Sequence, residues 1–261
     1  MDLELEGNAA LVTASTSGLG LASARALARE GADVAICGRD PDRLADAVAV
    51  VETAAAGEVL GRRADVTDPD DVEVFVSETV ETFGGLDHLV TSAGGLPSTT
   101  FAETTDAQWY DAYDQLVMSA VWTIEAAQPH LVESDAGSIV CITSRTVREV
   151  VDGLLLSNSV RRGVVGLVKT LSREFAPDVR VNTVLPGTIE TPRIEELIEA
   201  GVARGEYSDY DAGRAAVAGD IPLERPGEPI ELGEVVAFLS SERASFVNGA
   251  AIPVDGGQLR S

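Results

Sequence analysis

The chain has 261 residues, enough for one large α/β domain with a buried core. Apolar residues make up 45%, but 43 Asp plus Glu face only 19 Lys plus Arg, a formal net charge of −24. A field this negative argues against nucleic acid and membrane partners. The acid is dispersed with no like-charge block, so it predicts adaptation to a salt-rich cytoplasm rather than a disordered acidic tail.

In chain order, short apolar runs alternate with helical patterns. Strands are predicted over Ala9–Thr13, Asp33–Cys37, Glu58–Ala64, His88–Ser92, Ser138–Thr143, Arg180–Leu185 and Ala250–Val254. Most are apolar at consecutive positions, the pattern of strands covered on both faces. Helices are predicted over Leu19–Glu30, Pro41–Ala56, Pro69–Phe83, Asp106–Val132, Leu154–Phe175 and Pro229–Leu239. Asp40-Pro41 and Asp68-Pro69 place a capping carboxylate before a first-turn proline, while Gly31, Gly57 and Gly84-Gly85 close helices. This alternation predicts one α/β domain, a Rossmann-type doubly wound parallel sheet of about seven strands with helices on both faces. Residues 191–222 interrupt the rhythm and read as a mobile, helical substrate-loop insertion. No apolar run reaches the roughly 18 residues a membrane helix needs. The first residues, Met1 to Glu6, lack the pattern of a signal peptide, so a cytoplasmic location is expected.

The run Thr13-Ala14-Ser15-Thr16-Ser17-Gly18-Leu19-Gly20 joins the first strand to the first helix. Glycine there lets backbone approach a pyrophosphate at a helix N-terminus. The second strand ends in Cys37-Gly38-Arg39-Asp40. Gly38 stands where an NAD site places a carboxylate, and Arg39 suits the 2′-phosphate of NADP. NADP(H) is therefore expected over NAD(H). The two histidines, His88 and His130, have no metal-like spacing, and no metal is expected.

These motifs resemble the short-chain dehydrogenase/reductase family over nearly the whole chain. The glycine run resembles the family's T-G-x-x-x-G-x-G, with Ala14 for the first glycine. Asp65-Val66 resembles the adenine-binding pair. Ser92-Ala93-Gly94 resembles the end of the N-N-A-G run, with Thr91 at its first asparagine. Arg180–Gly187 resembles the sixth strand and its Pro-Gly turn. Pro186, Gly187, Thr188 and Ile189 would then flank the nicotinamide, and Asp255-Gly256-Gly257 would lie near a subunit interface. The resemblance implies a homotetramer or homodimer acting on a small-molecule substrate. Its strand order would put Cys37 and Cys141 three strand spacings apart, roughly 14 Å, too far for a disulfide, which needs Cα atoms within about 7 Å. Two buried thiols in a reducing compartment are expected.

The family's catalytic set is an Asn, a Ser and a Tyr-x-x-x-Lys pair. Ser144 falls at the serine, but Ser157 stands at the tyrosine, Arg161 at the lysine and Leu116 at the asparagine, with register held by Gly166-Leu167 and Arg180–Gly187. Leu156 to Arg161 resembles a family branch carrying Leu-Ser-Asn-x-x-Arg. A phenol starts from a pKa near 10 and serine is a far weaker acid, while arginine cannot share a proton at neutral pH. Two readings stay open. One is an NADP(H)-dependent oxidoreductase for a carbonyl or alcohol, in which Ser144 positions the oxygen, Ser157 or a relayed water supplies the proton, and Arg161 holds ribose or substrate charge. The other is a catalytically impaired NADP(H)-binding protein. Arg145 and Arg148, and Tyr207 and Tyr210 in the insertion, are further residues that can face the pocket; Tyr110 and Tyr113 read as packing or interface residues.

The charge generates a stability prediction. Self-repulsion grows as screening is removed, so the melting temperature should rise between low and molar potassium chloride. A melting curve indifferent to salt would contradict it.

Overall fold

The computed structural model describes residues 2–260. Its elements are β1 (Ala9–Val12), α1 (Gly18–Arg29), β2 (Asp33–Gly38), α2 (Pro41–Glu52), β3 (Val59–Arg63), α3 (Pro69–Phe83), β4 (His88–Thr91), α4 (Asp106–Tyr113), α5 (Ser119–Glu133), β5 (Ser138–Ile142), α6 (Leu155–Glu174), β6 (Arg180–Pro186), α7 (Pro192–Ala203), α8 (Tyr210–Gly219), α9 (Pro229–Ser240) and β7 (Ala251–Val254). The seven strands form one sheet in the order β3-β2-β1-β4-β5-β6-β7, and every pairing is parallel. All seven expected strands are present, within a residue or so at each end. Asp40 and Asp68 cap α2 and α3 as their sequence contexts predict, Asp40 accepting the Asp42 and Arg43 N–H groups and Asp68 the Asp70 N–H.

Successive strand residues point to opposite faces, and both faces are apolar. Val12, Val34, Ile36 and Val140 pack with Leu27 of α1, Leu44 of α2 and Val236 of α9. Their neighbours Leu11, Ala35, Cys37, Ile139 and Cys141 pack with Phe75 of α3, Ile124 of α5 and Val168 of α6. The consecutive apolar runs are thus the signature of two-sided burial. Cys37 on β2 and Cys141 on β5 are free and buried, separated by β1 and β4. Burial pushes their thiols up to about 12 and about 11, so neither is a ready nucleophile.

Asp106–Val132 is helical throughout, but it is not one uniform α-helix: Asp114–Met118 is a π-helical segment between α4 and α5. The sequence has no glycine or proline there to announce it. The break puts Leu116 and Ala112 into a small cluster with Leu96 and Leu156, an accommodation of tertiary packing. The insertion, read from the sequence as helical, folds into α7 and α8. Tyr207 between them lies against Gly201 and Gly213, where an added Cβ would sit 2.6 and 2.9 Å from its ring.

His88 opens β4 at the sheet end away from the glycine loop. Its ring nitrogens lie 2.9 Å from Asn8 Nδ2 and 2.9 Å from Ser138 Oγ. Burial pushes its pKa down to about 4; neighbouring Asp87 opposes the shift and Arg180 adds to it. The unfolded chain, with a histidine near 6.5, binds the proton first as pH falls. Stability associated with neutral His88 is therefore complete above about pH 6.5 and lost towards pH 4, at a slope of up to about 1.4 kcal/mol per pH unit. Denaturant titrations between pH 7 and 5, with the His88 imidazole followed by NMR, should show this loss and a ring still neutral at pH 5. Titration of His88 near 6.5 in the native protein would contradict it.

Candidate functional site

β1 and β4 are neighbours, while their following connections diverge to opposite sides of the sheet. In an open parallel sheet this opens a crevice at the carboxyl ends of the strands. A cavity of about 830 Å³ occupies it, lined at one end by the glycine loop and Arg39 and at the other by Ser144, Ser157 and α7.

The loop between β1 and α1 is tied down by its buried hydroxyls. Thr13 Oγ1 donates to the Ser92 carbonyl and accepts the Ser92 N–H, both at 2.8 Å. Ser15 Oγ donates to the Val12 carbonyl at 2.7 Å and accepts the Cys37 N–H at 3.0 Å. Thr13 and Ser15, expected against the cofactor, are therefore tethers: both are buried and neither lines the cavity. Ser17, Gly18, Leu19 and Gly20 do line it. Gly20 leaves room where a Cβ would stand 2.7 Å from the Ala14 carbonyl oxygen. Ser17 precedes α1 with its side chain capping nothing, so the first-turn N–H groups remain open. Ala14, at the first glycine position of the motif, adopts the left-handed region at φ +45°, which costs about 1–2 kcal/mol for a residue with a Cβ. This cradle of close backbone and unsatisfied N–H groups fits a dinucleotide pyrophosphate.

At the end of the cavity beside β2, Arg39 is mostly exposed and only loosely paired with Asp65, at 3.8 Å. Asp65 spends one carboxylate oxygen on the N–H and hydroxyl of Thr67. Arg43, in the first turn of α2, also lines the cavity, a second cation that the sequence pattern did not single out. Val66, Ser92, Ala93, Gly94, Pro186, Gly187, Thr188 and Ile189 continue the lining. Gln258, beyond Asp255-Gly256-Gly257, accepts the Thr188 N–H at 2.7 Å. That C-terminal run thus braces the turn after β6 within its own chain.

At the far end, Ser144 follows β5 and its Oγ accepts the Thr146 N–H at 3.2 Å. Asn158 is bound both ways to the Val151 backbone, at 3.1 and 2.8 Å, and so fixes the start of α6. Ser157 and Arg161 lie one turn apart on that helix, on the same face. Arg161 Nε donates to Ser157 Oγ at 3.1 Å, and Ser157 Oγ lies 3.1 Å from Thr146 Oγ1. The remaining guanidinium N–H groups reach the Thr143 and Gly94 carbonyls at 3.4 Å. Among the described residues, no ion pair involves Arg161. Burial, with the charge of Arg193 added, pushes its pKa down to about 10, so it stays cationic at neutral pH. Thr146 was not anticipated; a buried threonine two residues after Ser144 has no signal apart from that proximity.

The insertion forms one wall, through Arg193, Ile194, Glu196 and Tyr207. Of the tyrosines weighed for the pocket, Tyr207 lines it and Tyr210 does not; Tyr110 and Tyr113 are exposed on α4. Arg145 faces the cavity, whereas Arg148 donates to the Ala251 carbonyl at 2.9 Å. Leu116 is buried behind the site.

Gly38 has a packing reason as well as an electrostatic one. A Cβ there would lie 2.3 Å from Thr16 Cγ2. Gly38→Ala should therefore destabilise the protein by about 1–3 kcal/mol, and Thr16→Ala in the same chain should recover most of it. A thermal or denaturant cycle in which the two changes merely add would refute this.

The chain matches the Enoyl-(Acyl carrier protein) reductase family over residues 13–258. It is 35% identical to an uncharacterized oxidoreductase of Methylorubrum extorquens, covering 97% of this chain and 98% of that one. It is 32% identical to the 3-oxoacyl-[acyl-carrier-protein] reductase of Thermotoga maritima, covering 98% and 99%. Among solved structures, L-sorbose reductase from Gluconobacter frateurii, complexed with NADPH and L-sorbose, superposes with a TM-score of 0.94 at 32% identity over 100% of both chains. An NADPH-bound short chain oxidoreductase from Pseudomonas aeruginosa, described as containing an atypical catalytic center, gives a TM-score of 0.88 at 32% identity over 98% of each. With its seven-stranded parallel sheet, its glycine loop at the β1–β4 crevice and this coverage, the chain belongs to the short-chain dehydrogenase/reductase family of oxidoreductases.

Proposed function

We propose that this protein is an NADP(H)-dependent oxidoreductase for a carbonyl or alcohol substrate, working through Ser144, Ser157 and Arg161 in place of the family's Tyr-x-x-x-Lys pair. The observation that carries the reading is the convergence on one cavity of the glycine loop, Arg39, and the linked Thr146–Ser157–Arg161 group. Arg39 and Arg43 offer charge-assisted contacts to a 2′-phosphate, and Gly38 offers no carboxylate to ribose hydroxyls. The NADPH in two structural relatives favours the same cofactor.

Bound NADP(H) would supply or accept the hydride. Ser144 Oγ takes an N–H from Thr146 and keeps its own proton for the substrate oxygen. Ser157 gives up the proton that a carbonyl oxygen gains on reduction, and takes it back on oxidation. Arg161 Nε–H stabilises the Ser157 oxygen in its ionised form, the direction that makes a weak acid stronger. The relative with an atypical catalytic center is in keeping with such a departure. One observation favours the rival, an impaired NADP(H)-binding protein: Ser157 Oγ is already engaged by Arg161 and Thr146. The same reading takes the protein as a cytoplasmic homo-oligomer adapted to high salt, with neither nucleic acid nor membrane as a partner; among the described residues no helix is long and apolar enough to cross a membrane.

Titration should give tighter binding of NADPH than of NADH, and Arg39→Ala should remove most of the difference; tighter NADH binding by the unmodified protein would overturn the cofactor assignment. In a screen of carbonyls and alcohols, turnover should fall about 10²- to 10⁴-fold with Ser157→Ala and be abolished by Arg161→Ala. Turnover indifferent to both changes would overturn the assigned site, and cofactor binding without turnover on any compound would favour the rival.

A further inference from the structure

Arg193 is the second residue of α7 and reaches back across the cavity mouth. Its Nη2 donates to the Leu96 carbonyl, and its side chain lies flat on Gly95, where a Cβ would be 2.8 Å from Arg193 Cδ. Arg161 reaches the same segment from the other side, donating to the Gly94 carbonyl at 3.4 Å. The stretch Gly94–Leu96 thus carries one guanidinium at each end, with carbonyls two residues apart, roughly 7 Å along an extended chain. The charge of Arg193 disfavours the cationic form of Arg161. Two like charges held this way are relieved by an anion between them.

Arg204, the other cation that the insertion brings to the cavity, is held more firmly than Arg193. Arg204 is engaged twice by Glu206, at 2.8 and 3.2 Å. Among the described residues, Arg193 has one contact with a carboxylate, Nη1 to Glu196 Oε2 at 3.1 Å, and that glutamate is 65% exposed. An exposed pair of this kind is worth about 0–1 kcal/mol, so a better-held carboxylate can displace Glu196. In a chain of net charge −24, an anionic substrate needs local cations to overcome the general field.

We propose that Arg193 is a specificity-determining residue that binds a carboxylate of the substrate in exchange for Glu196, so that the protein acts on short oxo acids and their hydroxy counterparts. The inference rests on the oxidoreductase reading above and adds the substrate class. The carboxylate sits at Arg193 and the carbonyl lies towards Ser144 and Ser157, a few bonds away.

The test is calorimetric titration of the NADP⁺-loaded protein at constant ionic strength. The probes are acetoacetate and 4-oxopentanoate, each against its methyl ester. The acids should bind at least about tenfold more tightly than the esters, the scale of one charge-assisted contact. Arg193→Gln should erase that preference without changing NADPH affinity, and Glu196→Gln should strengthen acid binding by removing the competing carboxylate. Esters binding as well as acids, no acid binding at millimolar concentration, or a preference that survives Arg193→Gln and disappears with Arg145→Gln would each overturn the assignment. Failure of the unmodified protein to bind NADPH would instead strike at the oxidoreductase reading, and the parallel NADPH titration separates the two outcomes.

Discussion

The structure depends on a parallel sheet that must be buried on both faces. Parallel strands cannot be joined by tight hairpins, so each connection crosses over the sheet, and the apolar strand faces recruit the crossing helices as cover. Every strand then points the same way, and the segments leaving the strands collect along one edge. The glycine loop after β1, the Ser92–Gly94 segment after β4, Ser144 after β5 and the Pro186–Ile189 turn after β6 are neighbours for this reason alone. The reciprocal hydrogen bonds between Thr13 and Ser92 hold two of those segments in register at the point where the chain changes direction across the sheet.

Within that edge, the electrostatics are set by where arginine is left without a close carboxylate. The surface is rich in acid, and most ion pairs are exposed and contribute little. Arg161 is different. It is held by a serine hydroxyl and two main-chain carbonyls, so its charge is solvated by fixed dipoles rather than cancelled. Such a charge remains available to a ligand, and it acts on Ser157 through a single hydrogen bond. The cation-rich end is also where the insertion contributes, because α7 brings Arg193 over the Gly94–Leu96 segment.

The alanine at the first motif glycine and the glycine in place of an NAD-site carboxylate have different physical weights. Ala14 in the left-handed region is a local strain that the Thr13 and Ser15 tethers can hold in place. Gly38 is a matter of space as well as charge: Thr16 fills the volume that a side chain would need. The two positions are therefore linked through one packed loop, which a residue-by-residue comparison of motifs does not reveal.

Sheet, helix order and cofactor loop were legible in the sequence because they rest on local causes. Two-sided burial writes itself as consecutive apolar residues, Asp-Pro pairs start helices, and a glycine run between strand and helix has few other uses. What only the tertiary structure decided has in each case a non-local cause. The π-helical break near Leu116 answers to packing against Leu96 and Leu156. The tether role of Ser15, in the loop after β1, needs Cys37 on β2. Thr146 matters because β5 and α6 bring it beside Ser157. Arg193 meets the loop at Leu96 only because α7 folds back over the crevice, a contact between residues 97 positions apart that no periodicity or spacing encodes.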